Sequence, residues 1–166
     1  MDQNLLTMET TAFLDLTLFN WETQVKRMTM TFDSFTDEEL YLPVAPQRNR
    51  VIYILGHMTA VHDMLLPLLG LGERQYPELD AYFITHPDDP QEELPAPAKL
   101  RACWKDVNAI VLQQFRTLPP AAWLQKHTMV TQEEFEKEPH RNRYNVLLSR
   151  LTHLSYHLGQ LVLVNR

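Results

Sequence analysis

Two histidines and a glutamine near the end of the sequence have a spacing that could hold a metal ion. The segment THLSYHLGQLVLVNR, residues 152–166, places His153 and His157 four residues apart, with Gln160 three residues further on. Side chains at i and i+4 project from adjacent turns of one helix face. Both imidazoles can therefore reach a single ion, at metal–nitrogen distances of about 2.0–2.1 Å for zinc. A third ligand must come from another helix, which is how helical bundles build metal sites.

A helical wheel separates these histidines from the leucines that should face a core. The leucines that share one stripe are Leu147, Leu151, Leu154, Leu158 and Leu161. At about 100° per residue, His153 and His157 lie about 80–120° to one side of that stripe. Val146 and Val164 share this side, so the histidine face is apolar at both ends. We therefore do not expect it to face water alone.

Spacing alone leaves the third ligand open. Five further histidines occur, at positions 57, 62, 86, 127 and 140, and only His57 and His62 lie on a predicted helix. These two are about 140° apart on the wheel, so both cannot face one ion. A structural role, with the imidazoles hydrogen-bonded to the protein, is the alternative for the pair in the last helix. Their HxxxH spacing lacks the glutamate base of the hydrolytic HExxH motif.

Four blocks with helical periodicity predict the elements that position these residues. They run over about residues 8–35, 49–69, 98–117 and 143–164. Eleven prolines, most of them clustered between the blocks, and only four glycines favour helices joined by loops over an all-β fold. The sequence therefore predicts an all-α four-helix bundle with loop-rich connections, as a single domain over residues 1–166.

The connections carry their own signals. Thr36 with Glu39 three residues later has the form of a capping box and predicts a short helical turn. Pro67 should kink or end the second helix. Residues 70–95 read as loop, and residues 125–142 as charged and irregular, because neither stretch has an apolar period.

Composition and charge exclude several classes of partner. The net charge of −6 argues against nonspecific binding of nucleic acid and against an anionic membrane surface. We expect no apolar run of the about 18 residues that span a bilayer. The first residues lack the basic and apolar regions of a signal peptide, and the single Cys103 fits a reducing compartment as a small buried hydrophobe. These features predict a cytoplasmic protein.

The arrangement as a whole resembles the DinB/YfiT-like family of metal-dependent enzymes. The segments that carry the resemblance are ILGHMTAVHDMLL in the second helix, LLSRLTHLSYHLGQLV in the last and FTDEELYLPVAP between the first two. The H-x-x-Y-H-x-G-Q string at 153–160 is the most specific part. The resemblance implies a four-helix bundle, a homodimer and a divalent ion, nickel or zinc, held by three histidines. His57 matches the first ligand, and His153 and His157 match the other two.

The resemblance also implies what the ion does. Three neutral imidazoles leave coordination positions open, as in catalytic sites, where a water or a thiol loses its proton more readily. Relatives include transferases that use low-molecular-weight thiols such as bacillithiol, mycothiol or glutathione, and hydrolysis is a second use of such a site. We therefore expect a metal-dependent transferase or hydrolase that acts on a small-molecule substrate. The alternative is a non-catalytic helical-bundle dimer with a stress-associated binding or scaffold role.

Three further residues, Gln160, Tyr53 and His62, have competing interpretations. Gln160 shares the side of His157 and is expected to hold a ligand by a hydrogen bond, or to be a satisfied bundle amide. Tyr53, one turn before His57, is expected to line the pocket mouth or to pack in the core. His62 is expected at a surface or interface beside Asp63.

Overall fold

The computed structural model describes residues 3–164, with the side chains of residue 8 and of residues 10–164. This part of the chain contains helices and no β-strand, only isolated bridges between Pro43 and Arg50 and between Lys126 and Asn142. The all-α prediction is therefore confirmed. Residues 1–2 and 165–166 of the predicted single domain lie outside the described residues.

Four long helices form the bundle. In chain order the helices are α1 (Gln3–Asp33), α2 (Val51–Asp63), α3 (Leu65–Leu69), α4 (Asp80–Phe83), α5 (Pro97–Phe115), α6 (Pro120–Trp123), α7 (Gln132–Lys137) and α8 (Arg143–Leu161). Short 3-10 turns lie at Glu39–Tyr41 and Pro77–Leu79. Contacts join α1 to α5, α5 to α2, α2 to α8 and α8 back to α1, so each long helix has two long neighbours. This closed ring encloses the core.

The second helix is the most enclosed element. Twelve of its thirteen residues are buried, and His57 alone keeps partial exposure. The helix is interrupted at Met64, three residues before Pro67. Proline has no N–H, and its ring opposes the carbonyl four residues earlier, so a break at this point is the expected effect.

The continuation α3 ends at Leu69, and Gly70 caps it. Gly70 has a φ of 69°, a left-handed conformation that costs little without a Cβ. The amide of Leu71 donates to the carbonyl of Leu66 at 2.7 Å, which closes the helix end in a Schellman motif.

The stretch Val51–Leu69 is long and apolar enough to cross a membrane by length and composition. The expectation that no apolar stretch would reach that length was wrong. In the structure 78% of the stretch is buried inside the protein. Such burial is what the core helix of a bundle shows, and it makes the stretch weak evidence for a membrane span.

Two stretches predicted as loop contain short helices. Residues 70–95 include α4, and residues 125–142 include α7, which begins at a capping box. There the Thr131 hydroxyl accepts from the Glu134 amide at 3.2 Å, and Glu134 accepts from the Thr131 amide at 2.8 Å. The helix has no buried residue, so it has no apolar period to detect. The equivalent box at Thr36 and Glu39 forms as predicted.

Candidate metal centre

Three histidines converge between α2 and α8. The Nε2 atom of His57 lies 3.4 Å from that of His153, and the Nε2 atoms of His153 and His157 are 3.0 Å apart. One ring nitrogen from each histidine lies within 4.8 Å of the others. The structure therefore brings together the three residues that match the family ligands.

These nitrogens have the spacing that a divalent ion needs. An ion about 2.0–2.1 Å from each nitrogen in tetrahedral geometry would hold its ligands about 3.3 Å apart. The two short separations, 3.4 and 3.0 Å, bracket that value. Neutral imidazole is a ligand for zinc and nickel alike. The three-histidine cluster could thus hold a metal ion with positions left open.

The last residue of α4, Phe83, fixes the His57 ring. Its Nδ1–H donates to the carbonyl of Phe83 at 2.9 Å, which leaves Nε2 free to face α8. The Phe83 ring packs over Gly56, where a Cβ would come within 2.3 Å of it. Tyr53 stacks parallel to His57, with ring centroids 6.2 Å apart. Of the two interpretations of Tyr53, its 6% exposure shows that it packs in the core.

A buried ion pair holds the segment that follows Phe83 against α2. The guanidinium of Arg50 donates to Asp88 at 2.7 Å, and the Arg50 backbone amide donates to the same carboxylate at 2.7 Å. Tyr53 donates its hydroxyl to the carbonyl of His86, also at 2.7 Å. The segment that carries the Phe83 carbonyl is therefore tied to α2 at several points.

The His157 ring is fixed from its own helix. Its Nδ1–H donates to Oε1 of Gln160 at 2.8 Å, one turn further along α8. The amide of Gln160 in turn donates to the hydroxyl of Tyr156 at 3.1 Å, and Tyr156 is exposed. Gln160 thus has the orienting position that partners of metal-bound histidines occupy.

Burial keeps the α8 histidines uncharged. Burial, the neighbouring His157 and His57, and the charge of Arg150 lower the pKa of His153 to about 4. Burial also lowers the pKa of His157, against the opposing effect of its hydrogen bond to Gln160. A neutral imidazole keeps a lone pair for an ion, so both rings are ready to bind one at neutral pH.

The second candidate for the third ligand position, His62, lies elsewhere. It is fully buried rather than at a surface or interface, so that expectation was wrong. Its ring lies between Trp21 and Trp104, with centroids 4.7 and 5.1 Å away, and its Nδ1–H donates to Asn108 at 2.8 Å. Burial lowers the pKa of His62 to about 3. His62 follows His57 by five residues, about 140° further round the helix. Its side chain therefore faces α1 and α5 instead of α8.

A comparison with known families decides the identity of the fold. The model of the DinB superfamily matches residues 20–161, which is most of the chain. The chain belongs to the DinB superfamily. The match ends at the last residue of α8 and includes His57, His153 and His157. No curated protein matches this DinB-superfamily chain.

Sequence reasoning missed three residues that build the centre in this DinB-superfamily member. Phe83 acts through its backbone carbonyl, which has no side-chain signature. Arg50 and Asp88 lie 38 residues apart, and nothing in their local sequence pairs them. The available signal was Gly56, because a glycine inside an apolar helix indicates a close neighbour.

Proposed function

We propose that this protein is a divalent-metal-dependent enzyme whose ion is held by His57, His153 and His157. One observation carries the proposal. The Nε2 atoms converge while Phe83 and Gln160 occupy the Nδ1 atoms of two of the rings. A cluster of structural histidines would not need three ring nitrogens aimed at one point.

The residues around the cluster determine what reaches it. His57 is the one residue of α2 that is not buried, and His153 is likewise only half-buried, so the cluster is not sealed inside the core. A divalent ion here would supply Lewis acidity at its open positions, which lowers the pKa of a water or thiol bound there. Imidazole ligands carry no charge when they bind through a lone pair, so the ion would keep its full positive charge.

We further propose that the substrate is an electrophile and the co-substrate a low-molecular-weight thiol such as bacillithiol, mycothiol or glutathione. The resemblance to a family whose members include transferases that use such thiols supports this choice. In the transfer, the thiol sulfur forms a bond to the electrophilic carbon, the leaving group departs with its bonding electron pair, and the thiol proton passes to solvent. Hydrolysis, with water in the place of the thiol, is the second reaction that the site fits.

Metal analysis of protein purified without an affinity tag tests the proposal. After exposure to zinc, nickel and manganese, the wild type should retain about one equivalent of zinc or nickel. His57→Ala, His153→Ala and His157→Ala should each retain much less, and the exposed His140 provides the control variant His140→Ala. Less than about a tenth of an equivalent in the wild type would remove the basis of the proposal.

Exposed apolar side chains favour a second role, a homodimer that acts by binding. On α1, Phe13, Leu16 and Phe19 are 67%, 60% and 67% exposed. Apolar patches of this kind mark interaction surfaces. Light scattering should show a dimer that Phe13→Glu with Phe19→Glu dissociates. If the triple histidine variant keeps every cellular interaction and the wild type turns over no thiol with a model electrophile, the binding role stands alone.

A further inference from the structure

Arg150 is a half-buried cation of α8 for which the described part of the chain offers no acceptor. Its Nε is buried, and no hydrogen-bond partner for it exists within residues 3–164. No ion pair in the described part of the chain includes its guanidinium. A charge withdrawn from water without a partner costs free energy, so such a position is kept where an anion supplies the missing partner.

The position of Arg150 places it beside the histidine cluster. It precedes His153 by three residues and His157 by seven, so the three side chains share one face of α8. The Nδ1 of His153 is also buried without a partner in the described residues.

Arg150 also lines a polar cavity of about 540 Å³ at the start of α8. The wall includes the amide of Asn145, the hydroxyl of Ser149 and the imidazole of His140. Glu138 is the only carboxylate among the described lining residues, and Arg141 pairs with it at 3.2 Å. The charge of Glu138 is therefore balanced, whereas that of Arg150 is not.

We propose that this cavity binds an oxyanion group of a small molecule, a carboxylate or a phosphate, through Arg150. The planar guanidinium matches both groups with two parallel hydrogen bonds. Asn145 and Ser149 supply further donors from the same wall. A molecule held by its anion at Arg150 extends toward His153, one turn away, so the enzyme would select substrates that carry a negative group. This last step rests on the proposed function, whereas the binding of the anion does not.

Titration calorimetry on metal-free protein tests the anion site, with inorganic phosphate and succinate as separate probes at constant ionic strength. The wild type should bind at least one of them. Arg150→Gln should weaken binding by on the order of ten- to a hundredfold, the range for hydrogen bonds to a charged group. Arg150→Lys keeps the positive charge but loses the paired N–H donors of the guanidinium, so it should weaken anion binding less than Arg150→Gln does. Arg48→Gln, at an exposed arginine, removes the same charge and should change nothing.

Each outcome decides the proposal. Binding of succinate alone identifies a carboxylate site, and binding of phosphate alone a phosphate site, provided that Arg150→Gln removes it. No binding of either anion at millimolar concentrations, or equal losses in Arg150→Gln and Arg48→Gln, overturns the proposal. Arg150→Gln should unfold at the same temperature as the wild type or higher, because an unpaired buried charge is gone. Should it fail to fold, Arg150→Lys against the wild type decides the result.

Zinc binding is measured in parallel, so that the two proposals can fail separately. If Arg150→Gln keeps its zinc and loses the anion, the two sites are distinct. If the wild type binds the anion but no zinc, the proposed function fails and the anion site remains.

Discussion

Phe83 lies so close to Gly56 that the two residues have no room for a methyl group between them. A Cβ on Gly56 would come within 2.3 Å of the Phe83 ring. The same Phe83 accepts the His57 Nδ1–H through its backbone carbonyl at 2.9 Å. Phe83 thus packs on α2 with its side chain, and with its backbone carbonyl it orients the imidazole of His57, the residue after Gly56. The absence of a side chain at Gly56 is therefore linked to the geometry of the centre.

Gly56→Ala should displace Phe83 and with it the acceptor of His57. Overpacking of this kind costs about 1–3 kcal/mol of unfolding free energy, and the affinity for zinc should fall as well. Urea unfolding of metal-free protein and a zinc competition assay measure the two effects. Gly159→Ala is the matched control, because a Cβ there meets nothing within 4 Å. It should stabilise the protein by up to about 1 kcal/mol. Equal responses of the two variants would contradict the role of Gly56.

Gln160→Ala should weaken metal binding without unfolding the protein. The His157 ring then loses the acceptor that lies 2.8 Å from its Nδ1. Loss of such an orienting partner typically costs about 10- to 100-fold in metal affinity. Tyr156→Phe removes the hydroxyl that Gln160 contacts on its other side and should leave the affinity nearly unchanged. An unaltered zinc affinity in Gln160→Ala would mean that His157 is held by packing alone.

Asp88→Asn should destabilise the protein strongly. The side chains of Arg50 and Asp88 are only 10% and 4% exposed, so the change leaves a buried guanidinium without its counter-charge. Breaking such a pair costs about 3 kcal/mol or more. Glu133→Gln is the control, because it breaks an ion pair between two exposed side chains, Glu133 at 79% and Lys137 at 69%. It should lower the free energy of unfolding by less than about 1 kcal/mol. Urea unfolding compares both variants with the wild type, and a small effect of Asp88→Asn would show that the segment holds without this pair.

Much of the centre was predictable because helical periodicity places side chains. The wheel that sets His153 and His157 beside the leucine stripe needs only regular backbone, and α8 is regular over the whole interval. The partner on α2 needed the family resemblance, since His57 and His62 have equal local signals. The structure distinguishes the two histidines by their burial. His62 packs against Trp21 and Trp104, and these contacts exist only in the folded chain.

The irregular backbone segments could not be predicted from the sequence. The 3-10 turn at Pro77–Leu79 and the four-residue helix α4 are too short to show a period, and they carry the carbonyl that orients His57. We expected the helix to break at Pro67, but it breaks at Met64. The break comes earlier because proline disrupts the helical turn that precedes it. Both differences concern segments shorter than two helical turns.

The free energy of unfolding should decrease as the pH is lowered, because His62 titrates. Its pKa is about 3 in the folded protein, below the ordinary 6.5 of the unfolded chain. Between these values the unfolded state binds a proton that the folded state does not, so the free energy of unfolding decreases as the pH falls through this window. From pH 7 to pH 5 this group should account for about 2 kcal/mol.

Urea unfolding of the wild type and of His62→Gln at pH 7, 6 and 5 isolates this contribution. The variant starts from a lower stability at pH 7, because the imidazole packs between two tryptophans. Its stability should then decline less steeply, and His153 and His157 titrate in both proteins. Parallel pH curves would show that His62 gains its proton as easily in the folded state as in the unfolded one.

The enclosure of α2 limits how this protein can change over generations. A helix with twelve of its thirteen residues buried offers almost no position where a side chain can grow or shrink without moving a neighbour. The outer side of α8 and the connecting segments have no such restriction. Random mutagenesis with selection for a changed binding specificity should therefore leave α2 nearly intact and collect its successful changes on the outer side of α8 and in the connecting segments.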